Sequence, residues 1–277
     1  MKIFDCFIFL QEFDLLELRL QILKDVVDVF VLCEDNYTHT GKEKGYLFEE
    51  NTQFKEKIKP FLDKIQYVKV SSKDINSENN AWNKEYFHRA SCLPDPNTIA
   101  DDDIICISDL DEIPNPKILE KFKQQQLSFS SPEQVFALKM NFSYYFFNCR
   151  FQHEEYDLDF LNNSRLALYK YAKTLPLKAH ELRVKHKRDC TIIPQGGWHF
   201  SYLASAEEIS NKIKSFSHQE FNNSSFSNVS NIRYKMDNGL DLFDREFKWK
   251  FEKLNDTYPE YLLNNQDKYS KYIKQID

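Results

Sequence analysis

The chain is poor in residues that break regular structure: of 277, only 5 are glycine and 9 are proline. That scarcity excludes a collagen-like or long low-complexity segment. No apolar run approaches the roughly 18 residues that span a bilayer. "MKIFDCFIFL" does not read as a secretory signal, because Asp5 interrupts its short apolar run and Gln11, Glu12 and Asp14 follow at once. A dominant basic stripe is also missing. The formal charge is −6, and the nearest candidate, "KAHELRVKHKR" (178–188), is short and includes Glu181. A nucleic-acid partner is therefore not expected. The six cysteines (6, 33, 92, 106, 149 and 190) lack metal-type spacing, and Cys6, Cys33 and Cys106 fall inside strand-like runs. They predict reduced core residues of a cytoplasmic protein with no integral membrane segment. The oligomeric state is not legible.

What is present is a large supply of core-forming residues, 42% hydrophobic with 15% aromatic. "KIFDCFIFL" (2–10), "DVFVLCED" (28–35), "KIQYVKV" (64–70) and the isoleucine-rich run at 104–107 read as buried strands. Between them, "DLLELRLQILKDV" (14–26, with Asp14 as N-cap), 52–64 and "AWNKEYFHRASCL" (81–93) read as helices. This alternation predicts right-handed crossovers and an α/β fold, an open, mostly parallel sheet flanked by helices. "EQVFALKMNFSYYFFN" (133–148), "SRLALYKY" (164–171) and "GGWHFSYL" (196–203) look like further strands, and the chain beyond Ala204 looks mostly helical. The expected division is a catalytic domain over 1–203 and a helical C-terminal extension over 204–277. Ligands of such sheets sit at the carboxyl ends of the strands, so the loops after Phe9, Cys33 and Ser108 should converge on one cleft.

The third of those loops carries the densest chemistry. "DDDIICISDLDEIPNP" (101–116) runs an apolar strand into Asp109, Asp111 and Glu112, then stiffens its exit with Pro114 and Pro116. Crowded carboxylates raise one another's pKa, and a hard divalent cation would relieve the repulsion. In an extended segment Asp109 and Asp111 would share a side, and Asp101 to Asp103 would be a solvated turn. An Asp-Leu-Asp triplet can equally be plain surface. His199, in "GGWHFS", could complete a metal shell or be an ordinary satisfied histidine. Glu85 and Arg89 stand at i, i+4 on one helix face; they could pair with each other or contact phosphate and sugar. Tyr144, Tyr145 or Trp198 could stack on a sugar, though core packing is the commoner fate of such rings.

With these residues in view, the chain resembles glycosyltransferase family 17. The resemblance rests on "FDCFIFLQEFDLLELRL" (4–20), "DVVDVFVLCEDNYTHTGK" (25–42), "WNKEYFHR" (82–89), "DDDIICISDLDEIP" (101–114) and "GGWHFSYLASAEEISNKIKSFSHQEF" (196–221). It implies a GT-A-like fold, a nucleotide-sugar donor such as UDP-N-acetylglucosamine, Mn²⁺ or Mg²⁺, a glycan acceptor, and inversion to a β linkage. Carried over, Asp109 and Asp111 would hold metal and diphosphate, with His199 of the "GWH" motif as a further ligand. Glu12, Glu34 and Asn36 would meet the donor, as would Trp82, Glu85 and Arg89 of a W-x-x-E-x-x-x-R pattern. Gln11 departs from the Asn expected before Glu12. The general base is left between Glu112 and the acidic stretch Glu154, Glu155, Asp157 and Asp159, with Asp157 carried forward. Two rivals are a phosphatase with a strand-end Asp-x-Asp, which lacks the expected Gly-Thr here, and a non-catalytic sugar-binding relative.

Overall fold

A computed structural model describes residues 1–76, 81–152, 164–215 and 217–276. The first half alternates strand and helix: β1 (Ile3–Phe9), α1 (Phe13–Leu23), β2 (Val29–Asp35), α2 (Leu47–Glu50), α3 (Thr52–Lys57), a 3-10 turn (Lys59–Lys64), β3 (Ile65–Val70), α4 (Trp82–Ala90) and β4 (Ile104–Asp109). All seven β1 residues are buried. Ile3, Phe7 and Phe9 enter one core cluster, and Phe4, Cys6 and Ile8 enter the other, the two-residue alternation of a strand covered on both faces. β3, β2, β1 and β4 lie side by side and parallel. α1 starts one residue before Asp14, which sits in its first turn and accepts a hydrogen bond from Tyr272.

The second half turns the sheet antiparallel. It contains β5 (Glu112–Pro114), α5 (Pro116–Lys123), β6 (Phe136–Tyr144), β7 (Cys149–Gln152), β8 (Ser164–Leu168), α6 (Tyr169–Ala172), α7 (Lys178–Val184), β9 (Thr191–Ser201), α8 (Ala206–Ser215), α9 (Ser224–Ser227), α10 (Val229–Asn238), β10 (Lys248–Phe251) and α11 (Glu260–Leu263). The sheet order is β10-β7-β6-β8-β4-β1-β2-β3, with β9 joined to both β5 and β6. The α/β class holds, while among the described residues parallel pairing is confined to the four N-terminal strands and the β6–β9 pair. The run 133–148 divides at Tyr145, whose φ of 64° reverses the chain. The segment at 164–171 leaves the sheet after Leu168, and β9 begins five residues before Gly196. Residues 204–276 carry α8 to α11 and two 3-10 turns separated by irregular stretches, and they return one strand, β10, to the sheet edge beside β7.

Close packing explains the paired glycines. A Cβ on Gly197 would stand 2.2 Å from the Ile113 carbonyl oxygen, and one on Gly196 would stand 2.7 Å from Leu138 Cβ. β9 threads between β5 and β6 only because neither residue has a side chain. α8 opens on a reciprocal cap: Ser205 Oγ accepts from the Glu208 N–H, and Glu208 accepts from the Ser205 N–H. All six cysteines are free and five are buried. Among the described residues no helix is long and apolar enough to cross a membrane. Asp101 and Asp102 pair at the surface with Lys173 and Lys170. Asp103 departs from the expected solvated turn: it is buried and accepts from the Lys2 and Ala100 N–H groups, tying β4 to the N-terminus.

Candidate active site

β4 does not continue as an extended strand through Asp111. It ends at Asp109, turns over Leu110 and Asp111, and leaves as β5. Such a turn strands its carbonyls, and buried carbonyls need partners. Arg19, on α1, supplies three of them: Nη1 donates to the Asp109, Leu110 and Glu112 carbonyl oxygens at 3.0, 3.2 and 2.8 Å. The Phe200 N–H takes the fourth, that of Asp111, at 2.8 Å. Arg19 is completely buried and its charge is met by Asp5 on β1, at 2.7 Å from Nε and 2.6 Å from Nη2. Ser108 Oγ accepts a further bond from Nη2 at 2.5 Å. Burying two ions costs several kcal/mol apiece unless every donor is used, and here the whole fork is used.

Above the turn a second set of cations meets the carboxylates themselves. Arg89 Nη2 donates to Asp109 Oδ1 at 2.9 Å and Arg183 Nη2 to Asp109 Oδ2 at 3.0 Å. Arg89 also pairs with Glu85 at 2.8 Å, and Arg183 with Glu112 at 2.7 Å. The result is a chain of alternating charge: Glu85, Arg89, Asp109, Arg183, Glu112. Burial acts to raise the Asp109 pKa, but the two guanidiniums outweigh it and hold the group far below the usual carboxylate range. Glu85 is likewise lowered, burial being outweighed by Arg89 and His39.

A cleft of about 250 Å³ opens over this chain. Its walls come from the loops after β1 (Leu10, Glu12), β2 (His39) and β4 (Asp109 to Asp111), as the parallel topology predicts, joined by α4 (Glu85, Arg89), β9 (His199) and α8 (Lys212). His199 Nε2 faces Asp111 Oδ2 at 3.7 Å, while Nδ1 lies 4.0 Å from Glu112 Oε1. Burial works against the charged imidazole, but Asp111 and Glu112 reverse that and raise the His199 pKa. Asp111 is lowered, His199 and Lys212 prevailing over burial. Lys212 Nζ reaches Glu12 Oε1 at 3.2 Å. His39, 3.7 Å from Glu85, has its pKa pushed down to about 4 by burial, which Glu85 only partly offsets.

The structure thus gathers Glu12, Glu85, Arg89, Asp109, Asp111 and His199 around one cleft. It leaves others out. Glu34 is fully buried and accepts four hydrogen bonds, from Lys44, Tyr67 and the first N–H groups of α2. It acts as an internal cap and does not line the cleft. Asn36 and Trp82 do not line the cleft, though Trp82 makes an edge contact with His218, which does. Glu112 does not point into solvent opposite the aspartates. It is 1% exposed, and its Oε2 accepts from the Asp109 N–H and Ser164 Oγ, so both oxygens are taken. Asp157, with Glu154, Glu155 and Asp159, lies outside the described residues. Tyr144 and Tyr145 are buried core residues, and Trp198 donates to the Thr257 carbonyl. Sequence reasoning missed Arg19, Arg183, Lys212 and His39. Arg183 sat in the one basic run, read only for nucleic acid, and Arg19 looked like the polar face of an amphipathic helix. The overlooked signal was Asp5, a lone charge in a strand otherwise buried on both faces.

Among the described residues no three His, Cys, Asp or Glu side chains stand ready-made around a metal. Two do fit one. Asp111 and His199 face each other across the cleft floor, and the Nδ1 of His199 turns toward Glu112 at 4.0 Å, where a carboxylate would stand if the imidazole bound a metal. Asp109 differs from the expectation: each oxygen already holds a guanidinium.

The profile of glycosyltransferase family 17 matches residues 1–273. The beta-1,4-mannosyl-glycoprotein 4-beta-N-acetylglucosaminyltransferases of Homo sapiens and Rattus norvegicus are each 34% identical over 110 residues, 37% of this chain and 20% of theirs. The match therefore spans about a fifth of the length of those relatives. A solved structure, glucosyl-3-phosphoglycerate synthase from Mycobacterium tuberculosis with phosphoglyceric acid, aligns with a TM-score of 0.37 at 11% identity, over 72% of this chain and 70% of that one.

Proposed function

Since the chain belongs to glycosyltransferase family 17, we propose that it is a metal-dependent, inverting glycosyltransferase of GT-A type that moves N-acetylglucosamine from a UDP donor to a glycan hydroxyl, forming a β linkage. The observation that carries the reading is the pairing of Asp111 with His199 at the carboxyl ends of the parallel strands, beside a carboxylate, Asp109, held ionised by two arginines. The relatives' names supply the sugar and the linkage.

In this reading Asp111 and His199 would hold Mn²⁺ or Mg²⁺, which would supply Lewis-acid neutralisation of the diphosphate leaving group's charge. Lys212 and Arg89 border the same space and offer their charge to the phosphates. Asp109, fixed by its arginines, orients the donor by accepting hydrogen bonds. Inversion needs a carboxylate to take the acceptor's proton on the face opposite the leaving group. Glu112 is spent on Arg183, Asp109 and Ser164, so we assign that step to the acidic stretch that includes Asp157. Residues 1–203 would carry donor binding and catalysis, with 204–277 contributing Lys212.

The test is a panel of UDP-sugars with and without Mn²⁺, read by thermal shift and by release of UDP. The expected result is stabilisation and turnover with UDP-N-acetylglucosamine that requires the metal. No shift with any nucleotide sugar would overturn the donor assignment; a metal-dependent shift without turnover on any acceptor would favour a sugar-binding relative.

A further inference from the structure

We infer that Arg19, with Asp5, is a positioning residue for the cleft: a buried guanidinium that sets the backbone of the carboxylate turn from beneath without touching any ligand. This deepens the proposed function and rests on it for its activity readout alone. The geometry is specific to one residue type. A fork of five N–H donors spans the Asp5 carboxylate, Ser108 Oγ and the carbonyls of residues 109, 110 and 112. With the Phe200 N–H on the fourth carbonyl, all four carbonyl oxygens of residues 109 to 112 are drawn inward. The Asp109 and Asp111 side chains are left to face the cleft. Three elements meet at this point: β1 brings Asp5, α1 brings Arg19 and β4 brings the turn. Phe7 lies against the guanidinium face at 4.6 Å and closes the site from the other direction.

A buried ion pair is weak grounds for a stabilising role, since apolar replacements of similar size are often as stable. The pair makes sense as a device for geometry. Lysine cannot replace it: one ammonium with three donors does not reproduce a planar fork.

Two variants separate positioning from general stability. The first is Arg19→Met with Asp5→Leu, which removes both charges together. It avoids an uncompensated ion but leaves the carbonyls of residues 109, 110 and 112 without their donor, so it is expected to fold and to melt about 5–15 °C below the wild type. Hydrogen exchange in the 108–113 segment is expected to rise at least about tenfold, with β2 and β3 unchanged. Turnover is expected to fall about 100-fold, the effect of a small misplacement of reacting groups. The second is Arg19→Lys, expected to fail to rescue turnover. Unchanged exchange at 108–113 in a folded double variant, or faster exchange spread evenly over the sheet, overturns the proposal. Should neither variant fold, the wild type decides: Arg19 should give separate, slowly exchanging Nη proton resonances, and a freely rotating guanidinium there overturns the clamp. If the wild type transfers no sugar at all, the proposed function fails, while the exchange and resonance readouts still judge the clamp.

Discussion

The turn from Asp109 to Glu112 is gripped from two sides by arginines that behave differently. Below it, Arg19 is fully buried and bonded through all of its nitrogens to Asp5, Ser108 and main-chain carbonyls. Above it, Arg89 and Arg183 bond to carboxylates, border or approach the cleft, and each keeps an unpartnered Nε. A saturated network has one arrangement and acts as frame. A network with spare donors can exchange partners, and an incoming anion can compete for them. The protein thus separates holding the backbone from handling the ligand, using the same side chain for both.

The largest effect expected from breaking the upper set is on stability, at Arg183. Arg183→Met leaves Glu112 Oε1 and Asp109 Oδ2 without their cation, and Glu112 is 1% exposed. Uncompensated buried charge costs about 3–5 kcal/mol, read as a lowered urea midpoint. Arg89→Met exposes its partners to a cleft that water enters, so it should cost about half as much or less. Equal losses would erase the distinction between the deep and the shallow end of the charge chain.

Next comes the contrast between the two aspartates. Asp111→Asn is expected to lower UDP-sugar turnover by about 10²–10³-fold while changing stability by less than about 1 kcal/mol, because its ion pair with His199 is a loose one, at 3.7 Å. Asp109→Asn should lose both activity and stability, since two arginines lose their anion. Steady-state rates beside denaturation curves check the pair. Stable, fully active Asp111→Asn would remove that residue from the metal site.

The same division between frame and cleft decided what could be read from the sequence. β1 to β4, α1 and α4 fall within about three residues of expectation, because doubly covered parallel strands advertise themselves as continuous apolar runs; the helix expected over 52–64 is instead α3 followed by a 3-10 turn, and α2 was not expected. β5 and β10 were invisible. Glu112–Pro114 is three residues long with an acid and a proline, and Lys248–Phe251 alternates exposed and half-buried positions on an edge. In the site, Asp109, Asp111, Glu85, Arg89 and His199 were legible because short motifs carry them. Arg19 and Arg183 were not, since the turn groups they hold are 90 and 74 residues away, and the nearer partner of Arg19, Asp5, lies on a different element and shares no short motif with it. The misreading of Glu112 has the same origin: a turn, absent from the extended-strand assumption, carries it into the interior.

The charge chain continues from Glu85 to His39, and that end should show in acid. His39 has its pKa depressed to about 4 by burial, against about 6.5 in an unfolded chain. Above pH 6.5 the group is neutral in both states and stability does not depend on it. Between 6.5 and 4 the unfolded chain binds a proton that the folded protein refuses, so stability falls as pH falls. The difference reaches about 2 kcal/mol at pH 5. His39→Gln should flatten the loss between pH 7.5 and 5 by that amount in denaturation curves. An unaltered slope would show that His39 titrates normally and is no part of the buried network.

The smallest stability change is expected at the cleft mouth. Lys212 and Glu12 are each about a quarter exposed, at 28% and 23% of their side chains, so their pairing is worth less than about 1 kcal/mol. Burial alone would lower the Lys212 pKa, but Glu12 and Asp111 reverse it and keep the ammonium charged. Lys212→Met should therefore leave the melting curve nearly unchanged and raise KM for the donor by about tenfold, with kcat altered little, the signature of contact made equally to ground and transition states. Initial rates over a range of donor concentrations separate the two parameters. A fall in kcat at constant KM would mean instead that Lys212 meets charge only as the diphosphate departs. The upper network would then contain a transition-state contact beyond its grip on Asp109, and the contrast with the saturated fork of Arg19 would become one between catalysis and support.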